Sequence, residues 1–522
     1  MDTEKLNELL KQAEEKYASG DYKEAHRLAI KVSELGEGPL ISYYAGGILI
    51  DTGWILRDEE IVKKAVENLE RDLKELEKRK DIAPSVYYNL ANGCWTLYNF
   101  KRFKDPTACY LKPSELYKVR KYLLKAIELK PKGKKFLAQI WTNLGNCFDY
   151  LGRVVDALEC YEMALKYKPD HGMAMGNKGI AFFYYANVTG SHQETFLYES
   201  YSLISDAIKL GVDPGTANDF QVYLNSLEKF FAGSEMLETQ ISFPGCKAES
   251  ADKFEKFLIS FCLKNRLYLN ICNACQKCDN AIGDTVGIKS MIVSLKSSDG
   301  KLEPFYALAN HLNHIKQDYV TARFLLVQSQ YKELNLDFVN RKLKLTDTLD
   351  YSLHNIRIQL IKTAFRAFYD VLDKTSIFIN NYLDLGIPVD KVYFRNVWFS
   401  DYNKKREKIH EKMKGMKNFA LNAIYDIFHE FEKNGRYNRL RSTRNALTHR
   451  FVNIRLMQEN EDEENMSEGA LFEQTVELAR IARNVIIYLM NMVNLEEKAK
   501  EEKIGHKLPQ IESFEYPNEL RP

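Results

Sequence analysis

Residues Ala138–His171 read AQIWTNLGNCFDYLGRVVDALECYEMALKYKPDH. Two helix-length segments meet at Gly152, which turns the chain, and Pro169 ends the second segment. Gly145 and Ala157 are small enough to let two antiparallel helices approach closely, while Trp141, Phe148 and Tyr161 fill the space between neighbours. A single helical pair of this size cannot bury its apolar face alone, so copies are expected on either side. Lys16–Val32 carries the turn Gly20-Asp-Tyr22 and the small residue Ala25. Tyr87–Trp95 opens a further copy, which Lys101–Pro113 interrupts and Ala126–Pro131 closes. Met175–Phe183 opens the next, closing at Ala207–Pro214.

The spacing of Trp141, Leu144, Gly145, Phe148, Gly152, Ala157, Tyr161, Ala164 and Pro169 resembles the tetratricopeptide (TPR) repeat. That resemblance predicts a solenoid of about five repeats over residues 1–215, with a groove for a protein or peptide ligand. The residues of the motif build the scaffold and do not name the ligand.

The whole chain is 522 residues long with 45% hydrophobic and 28% charged residues, a soluble globular composition divided among several domains. Its formal net charge of +2 argues against a surface coated by nucleic acid, so any such contact is expected to be local. No apolar run approaches the ~20 residues of a membrane-spanning helix. The start, MDTEKLNELLKQAEEK, reads as a charged amphipathic helix without a signal-peptide centre. Nine cysteines, an odd number, fit reduced thiols in a cytoplasmic protein.

The middle region, residues 216–347, keeps a helical pattern without the repeat. Lys253–Ile271 and Phe305–Leu334 are predicted as long amphipathic helices. Between them Cys272, Cys275 and Cys278 stand at i, i+3 and i+6, with Cys262 or Cys246 as a distant fourth thiol. Structural zinc commonly takes four ligands in two pairs, so free cysteines are the favoured reading and no metal is expected. His311 and His314 lack a third ligand and read as surface or packing residues. Ser297–Gly300 reads as a turn.

Residues 348–495 are predicted as a bundle of four to five helices, followed by a tail over 496–522. Leu349–Leu385 forms one long helix or two, with Ile361, Phe365, Phe368, Leu372 and Phe378 as its seam and Tyr369 alongside. Arg366, Asp370, Asp373 and Lys374 lie towards its polar side, and Gly386–Pro388 stops it. Asn418–Glu432, Arg439–Val452 and Leu471–Val493 complete the bundle, giving an all-α chain.

One stretch of this bundle stands apart in charge. Arg436–Arg455, RYNRLRSTRNALTHRFVNIR, holds six arginines and a histidine with no Asp or Glu. On a helix, Arg441, Asn445 and His449 share one face, Arg444 and Thr448 line its edge, and Ala446, Leu447 and Phe451 point elsewhere. Arginines near a helix end also serve as solvated charges on the helix dipole, and the stripe by itself leaves both readings open.

A bundle whose later helix carries Arg444-Asn445, three residues and then His449 resembles the HEPN superfamily (higher eukaryotes and prokaryotes nucleotide-binding domains). The ordered segments AFRAFYDVLDK (364–374), KVYFRNVW (391–398) and RSTRNALTH (441–449) are similar to a TPR-associated HEPN branch, as is LKNRLYLN (263–270). The resemblance covers roughly residues 240–495 and implies a metal-independent, cofactor-free endoribonuclease working as a homodimer, of the kind found among toxin and anti-phage defence effectors. It implies catalytic roles for Arg444, His449 and Asn445, with Arg441, Arg450 and Thr448 in RNA binding. The chemistry suits the residue types. Histidine titrates near neutrality and can act as base or acid, and an arginine fork matches phosphate oxygens. Two alternatives are a non-catalytic scaffold using TPR and HEPN surfaces, and a nucleotide-binding partner of a nucleotidyltransferase. Lys404–Lys417 adds a basic run that reads as a solvated helix face or an RNA-backbone track, and Glu459–Asn465 an acidic run able to mask the site.

Overall fold

The computed structural model describes residues 3–106, 111, 113–189, 192–232, 252–272, 279–292, 303–347, 349–456, 462, 464–504 and 510–512. The described chain is all-α apart from four three-residue strands. It divides into two compact units, Met1–Phe183 with Leu197–Ala232, and Tyr184–Phe196 with Gly233–Pro522.

In the first unit, helices α1 (Thr3–Ala18), α2 (Tyr22–Leu35), α3 (Pro39–Leu56), α4 (Glu59–Leu76), α5 (Ala83–Lys104), α6 (Ser114–Glu128), α7 (Lys134–Tyr150) and α8 (Val154–Tyr167) pack each against the next. α9 (Gly172–Val188), α10 (Gln193–Lys209) and α11 (Pro214–Phe230) follow, the stretch Tyr184–Phe196 at the end of α9 and the start of α10 belonging to the second unit. Local signals set the helix starts. The Asp21, Asp58 and Asp213 carboxylates accept N–H groups from the first turns of α2, α4 and α11, and Pro39, Pro84 and Pro214 occupy opening positions where a missing N–H costs nothing. The α7–α8 pair shows why its sequence is legible. A Cβ on Gly145 would lie 2.5 Å from the Tyr161 ring, so only glycine allows this approach. Phe148 and Tyr161 are buried as the spacing predicts, and the Tyr161 hydroxyl donates to Asn146 Oδ1 at 2.9 Å. Ala138, Ala164 and Ala174 form a small-residue contact with Trp141 packed on it.

The second unit contains α12 (Lys253–Asn265), α13 (Glu303–Gln330), α14 (Ile356–Tyr382), the single turn α15 (Glu411–Lys414), α16 (Phe419–Glu430), α17 (Asn438–His449) and α18 (Glu468–Ile504). α14 packs along α13, α17 and α18, and α16 packs on α18. Its core holds the fully buried Phe365, Phe368, Phe378, Phe394, Trp398 and Tyr488. Each such phenylalanine contributes roughly 1.5–3 kcal/mol on leaving water. Strand β1 (Ser290–Ile292) pairs antiparallel with β4 (Gln510–Glu512), and β2 (Asn453–Arg455) pairs parallel with β3 (Asn465–Ser467).

Several helices end sooner than periodicity suggests. α12 stops at Asn265 because Arg266 adopts a left-handed conformation (φ 55°), and the chain turns away before Ile271. α14 begins only at Ile356, where Asn355 caps it by accepting the Ile358 N–H at 2.9 Å. α17 stops at His449, since Arg450 is extended (φ −136°, ψ 178°). The basic run 404–417 is not one helix face. Its first part is a loop in which Asp401 accepts the N–H groups of Glu407 and Lys408, and only Glu411–Lys414 is helical.

The segment after α12 is tied to the bundle through its carbonyl groups. Leu267 C=O accepts from Tyr319 Oη at 2.8 Å and Arg323 Nη1 at 3.0 Å, and Arg323 pairs with Asp284 at 2.7 Å. Tyr268 C=O accepts from Arg483 Nε at 2.7 Å, and Asn270 C=O from the same guanidinium. Cys262 is buried with its thiol pushed up to about 12 by that burial, which suits a packing role. Cys272 is buried as well. Cys246, Cys275, Cys278, Ser297–Gly300 and residues 459–461 and 463 of the acidic run lie outside the described residues. Among the described residues no group of three His, Cys, Asp or Glu side chains is placed to hold a metal ion, and no helix is long and apolar enough to cross a membrane.

Candidate functional site

α17 is placed by a tight turn after α16. A Cβ on Gly435 would fall 2.1 Å from the Glu430 carbonyl oxygen, which the Tyr437 N–H reaches at 2.8 Å. Leu440, Thr443 and Ala446 then face inward, with the Thr443 hydroxyl donating to Gln474 at 2.8 Å. Beneath the end of α17, Ala446 joins Ile358, Ile361, Val452, Ile454, Met466 and Leu471 in one core cluster. This inward face decides where every motif side chain can go.

Arg444 lies towards α14. Its guanidinium sits 5.2 Å from the centre of the Tyr369 ring, with Nη2 4.0 Å from Asp373 Oδ2. Both side chains are partly screened from water (26% and 22% exposed). At that separation the pair is an ion contact and not a hydrogen bond, so the guanidinium donors stay available to an incoming anion. Asp373 accepts the Phe394 N–H at 2.9 Å. Burial nevertheless raises its carboxyl above the usual carboxylate range, the Phe394 N–H and Arg444 opposing and Asp370 adding. Asp370 is raised by burial too, with Arg444 opposing. The Tyr369 phenol is pushed up to about 12, chiefly by burial.

Arg441 lies 3.8 Å from Glu432, a carboxylate that also accepts from Arg395 Nε at 2.9 Å. Arg441 Nη1 is buried without a hydrogen-bond partner among the described residues, so one donor there is unused. Asn445 and His449 are exposed, and among the described residues neither side chain has a hydrogen-bond or ion-pair partner. Thr448 is also exposed, but its hydroxyl donates back to the Arg444 carbonyl at 2.9 Å. Arg450, past the helix end, pairs with Glu464 of the acidic run at 3.0 Å.

Arg444 and His449 are therefore not brought together within one chain. Five residues on a helix separate them by ~140° around the axis and ~7.5 Å along it. The three residues of the expected stripe are also unequal: Arg441 is half-buried, while Asn445 and His449 face solvent. Phe451 does not turn inward. It is 91% exposed, because the chain leaves the helix at Arg450. Leu456 and Tyr351 are exposed apolar side chains too, on segments joined by the Leu456 N–H to Tyr351 C=O bond at 3.1 Å.

Comparison with known proteins gives this bundle a family. Residues 301–496 match the LA2681-like HEPN family. The chain carries a HEPN domain. The match opens at α13, takes in α17 whole and ends within α18. In front of the HEPN domain, residues 138–171 match the tetratricopeptide repeat. Solved structures similar to part of the chain include two whose descriptions name TPR. TTC0263 of Thermus thermophilus, described as a thermophilic TPR protein, is 19% identical, covering 42% of this chain and 98% of its own (TM-score 0.30). The MamA protein is 20% identical, covering 45% and 97% (TM-score 0.24). The TPR2AB domain of yeast Sti1 is 12% identical, covering 44% and 100% (TM-score 0.18). No curated protein sequence matches the chain.

Tyr369, Asp370, Asp373, Arg395 and Glu432 surround the HEPN motif and lie outside the site residues that the resemblance implies. For Tyr369, Asp370, Asp373 and Arg395 a trace is present in AFRAFYDVLDK and KVYFRNVW, while Glu432 lies in neither segment.

Proposed function

We propose that the protein is a metal-independent endoribonuclease of the cytoplasmic toxin or defence type, working as a homodimer through its HEPN domain. The reading rests on one observation above the others. Within a HEPN-matched bundle, Arg444 keeps unused donors beside Tyr369 while Asn445 and His449 stand exposed and, among the described residues, unpartnered. In this reading the RNA 2′-hydroxyl loses its proton and its oxygen attacks the adjacent phosphorus. The phosphorus–O5′ bond breaks and the 5′ oxygen takes up a proton. The products are a 2′,3′-cyclic phosphate and a 5′-hydroxyl. His449 exchanges the proton, Arg444 holds the phosphorane oxygens, and Asn445 orients the imidazole or the phosphate. Arg441, Arg450 and Thr448 add contacts to the RNA, Arg450 once released from Glu464.

The separation of Arg444 from His449 around α17 favours a site completed by the second copy. The exposed Phe451, two residues past His449, suits that contact. In the proposed division of labour, residues 1–215 take a protein or peptide partner, residues 216–347 connect, residues 348–495 carry the nuclease bundle, and residues 496–522 form a tail.

The test incubates the purified full chain with total RNA in EDTA, beside Arg444→Ala and His449→Ala, and reads fragment ends. Wild type should release cyclic-phosphate ends, and each variant should be slower by about 10²-fold or more. RNA left equally intact by all three, with candidate activators present, would overturn the nuclease reading and leave a dimeric binding scaffold. Growth arrest on expression, relieved by His449→Ala, is expected alongside.

A further inference from the structure

The first unit contains a cavity of about 460 Å³ whose lining includes Tyr17, Asp51, Trp54, Tyr88, Trp95 and Asn143. Most of its wall comes from α1, α3, α5 and α7, the first helices of successive pairs. Four aromatic side chains and one carboxylate meet there, and among the described residues no lysine or arginine lines the wall. Asp51 has a single partner among the described residues, the Tyr17 hydroxyl, which donates at 3.0 Å. Its carboxyl is held above the ordinary range by burial, against the opposing effect of that hydroxyl. Arg57 stacks on Trp54 at 4.3 Å, yet forms no ion pair with Asp51.

A half-buried carboxylate without a cation is costly, and aromatic faces attract cations through their ring quadrupoles. Together they make a negative, ring-walled chamber that complements one positive group. Nearby amides suit the main chain around such a group. Asn143 Nδ2 donates to Asn92 Oδ1 and to Tyr88 Oη, both at 3.1 Å, leaving Asn143 Oδ1 unpaired among the described residues. Asn146 Oδ1 accepts from Tyr161 at 2.9 Å and from Asn177 at 2.8 Å, leaving its own NH₂ unpaired among the same residues. One free acceptor and one free donor on the same helix match the alternating N–H and C=O groups of an extended peptide.

We propose that this cavity is a recognition site for a lysine or arginine side chain presented on an extended segment of a partner protein. Asp51 pairs with the ammonium or guanidinium, the aromatic side chains enclose its stem, and Asn143 and Asn146 hold the flanking backbone. The proposal rests on the reading of the solenoid as a partner-binding surface and is independent of the nuclease reading.

The test uses the full-length chain and calorimetry, with tryptophan emission as a second readout because Trp54 and Trp95 are two of only four tryptophans. The probes are the peptide acetyl-Gly-Ser-Gly-Lys-Gly-Ser-Gly-amide, its arginine and norleucine counterparts, and n-butylammonium. The two basic peptides should bind, and the norleucine peptide should bind at least about tenfold more weakly. Asp51→Asn should weaken the basic peptides about tenfold while leaving the melting temperature near that of wild type. Trp95→Leu should weaken them as well, which separates loss of the site from loss of the fold. Equal affinity for the norleucine peptide, or for Asp51→Asn, overturns the cation site. If that neutral binding then falls in Asn143→Ala/Asn146→Ala, the groove reading still stands. n-Butylammonium binding as tightly as the peptides overturns the peptide source. Failure of both basic peptides to bind overturns the proposal, whereas the groove reading falls only if a partner protein that co-purifies with the full chain is retained equally by Asn143→Ala/Asn146→Ala and Trp95→Leu.

Discussion

Arg444 and Asp373 illustrate what a single residue can and cannot reveal before folding. The motif arginine, Asn445 and His449 stand out in the sequence because a basic, acid-free stripe is unusual in a nearly neutral chain. The carboxylate that faces Arg444 does not, because α14 and α17 are far apart in sequence and only their packing sets the two side chains 4.0 Å apart. Burial effects are equally invisible. Asp149, near the end of α7, has its carboxyl raised to about 6 by burial. Its folded value thus exceeds its unfolded value of about 3.9. The stability it contributes is complete below the lower value and is lost as the pH rises through the higher one. Asp149→Asn should therefore stabilise the chain at pH 7.5 by about 1–3 kcal/mol, an advantage that shrinks towards zero near pH 4. Urea unfolding at both pH values, followed by tryptophan emission, measures it. A pH-independent difference would mean that Asp149 is not the group responsible.

At the scale of elements, the helices were readable and their ends were not. Amphipathic periodicity marks α14 and α18 plainly, but it does not see a left-handed residue such as Arg266 or an extended one such as Arg450. Those two positions decide that α12 is short and that Phe451 faces water. Asn418 shows the opposite case, a start signal with consequences beyond its helix. Its Oδ1 caps α16 through the Leu421 N–H at 3.1 Å, while its Nδ2 donates to the Met492 carbonyl of α18 at 2.9 Å. Asn418→Ala should cost about 1–3 kcal/mol, more than a surface cap, because a buried acceptor on a second helix loses its donor. Asn418→Asp should recover only the cap. Chemical denaturation of the three proteins checks the order, and equal stability of the alanine variant and wild type would contradict it.

For the molecule as a whole, the repeat was legible because each pair reuses small residues, aromatic fillers and turn glycines at fixed spacing. The second unit has no such periodicity, and its organisation depended on resemblance to a family. Its expected dimer is open to a direct test at the exposed Phe451. Phe451→Asp should shift the full chain from dimer to monomer in light scattering, with melting temperature little changed, and RNA cleavage should fall with the dimer. A dimer that persists in this variant would move the contact elsewhere on the surface.

The ties between α18 and the segment behind α12 also bear on the order of folding. Arg483 reaches a carbonyl 215 positions earlier in the chain, and Asn494 donates to the Val188 carbonyl 306 positions earlier. During synthesis those carbonyls emerge long before their donors exist, and contacts of such span are slow to close. The final long helix acts as a latch whose arrival completes the unit. A nascent second unit thus stays incomplete until α18 has been made.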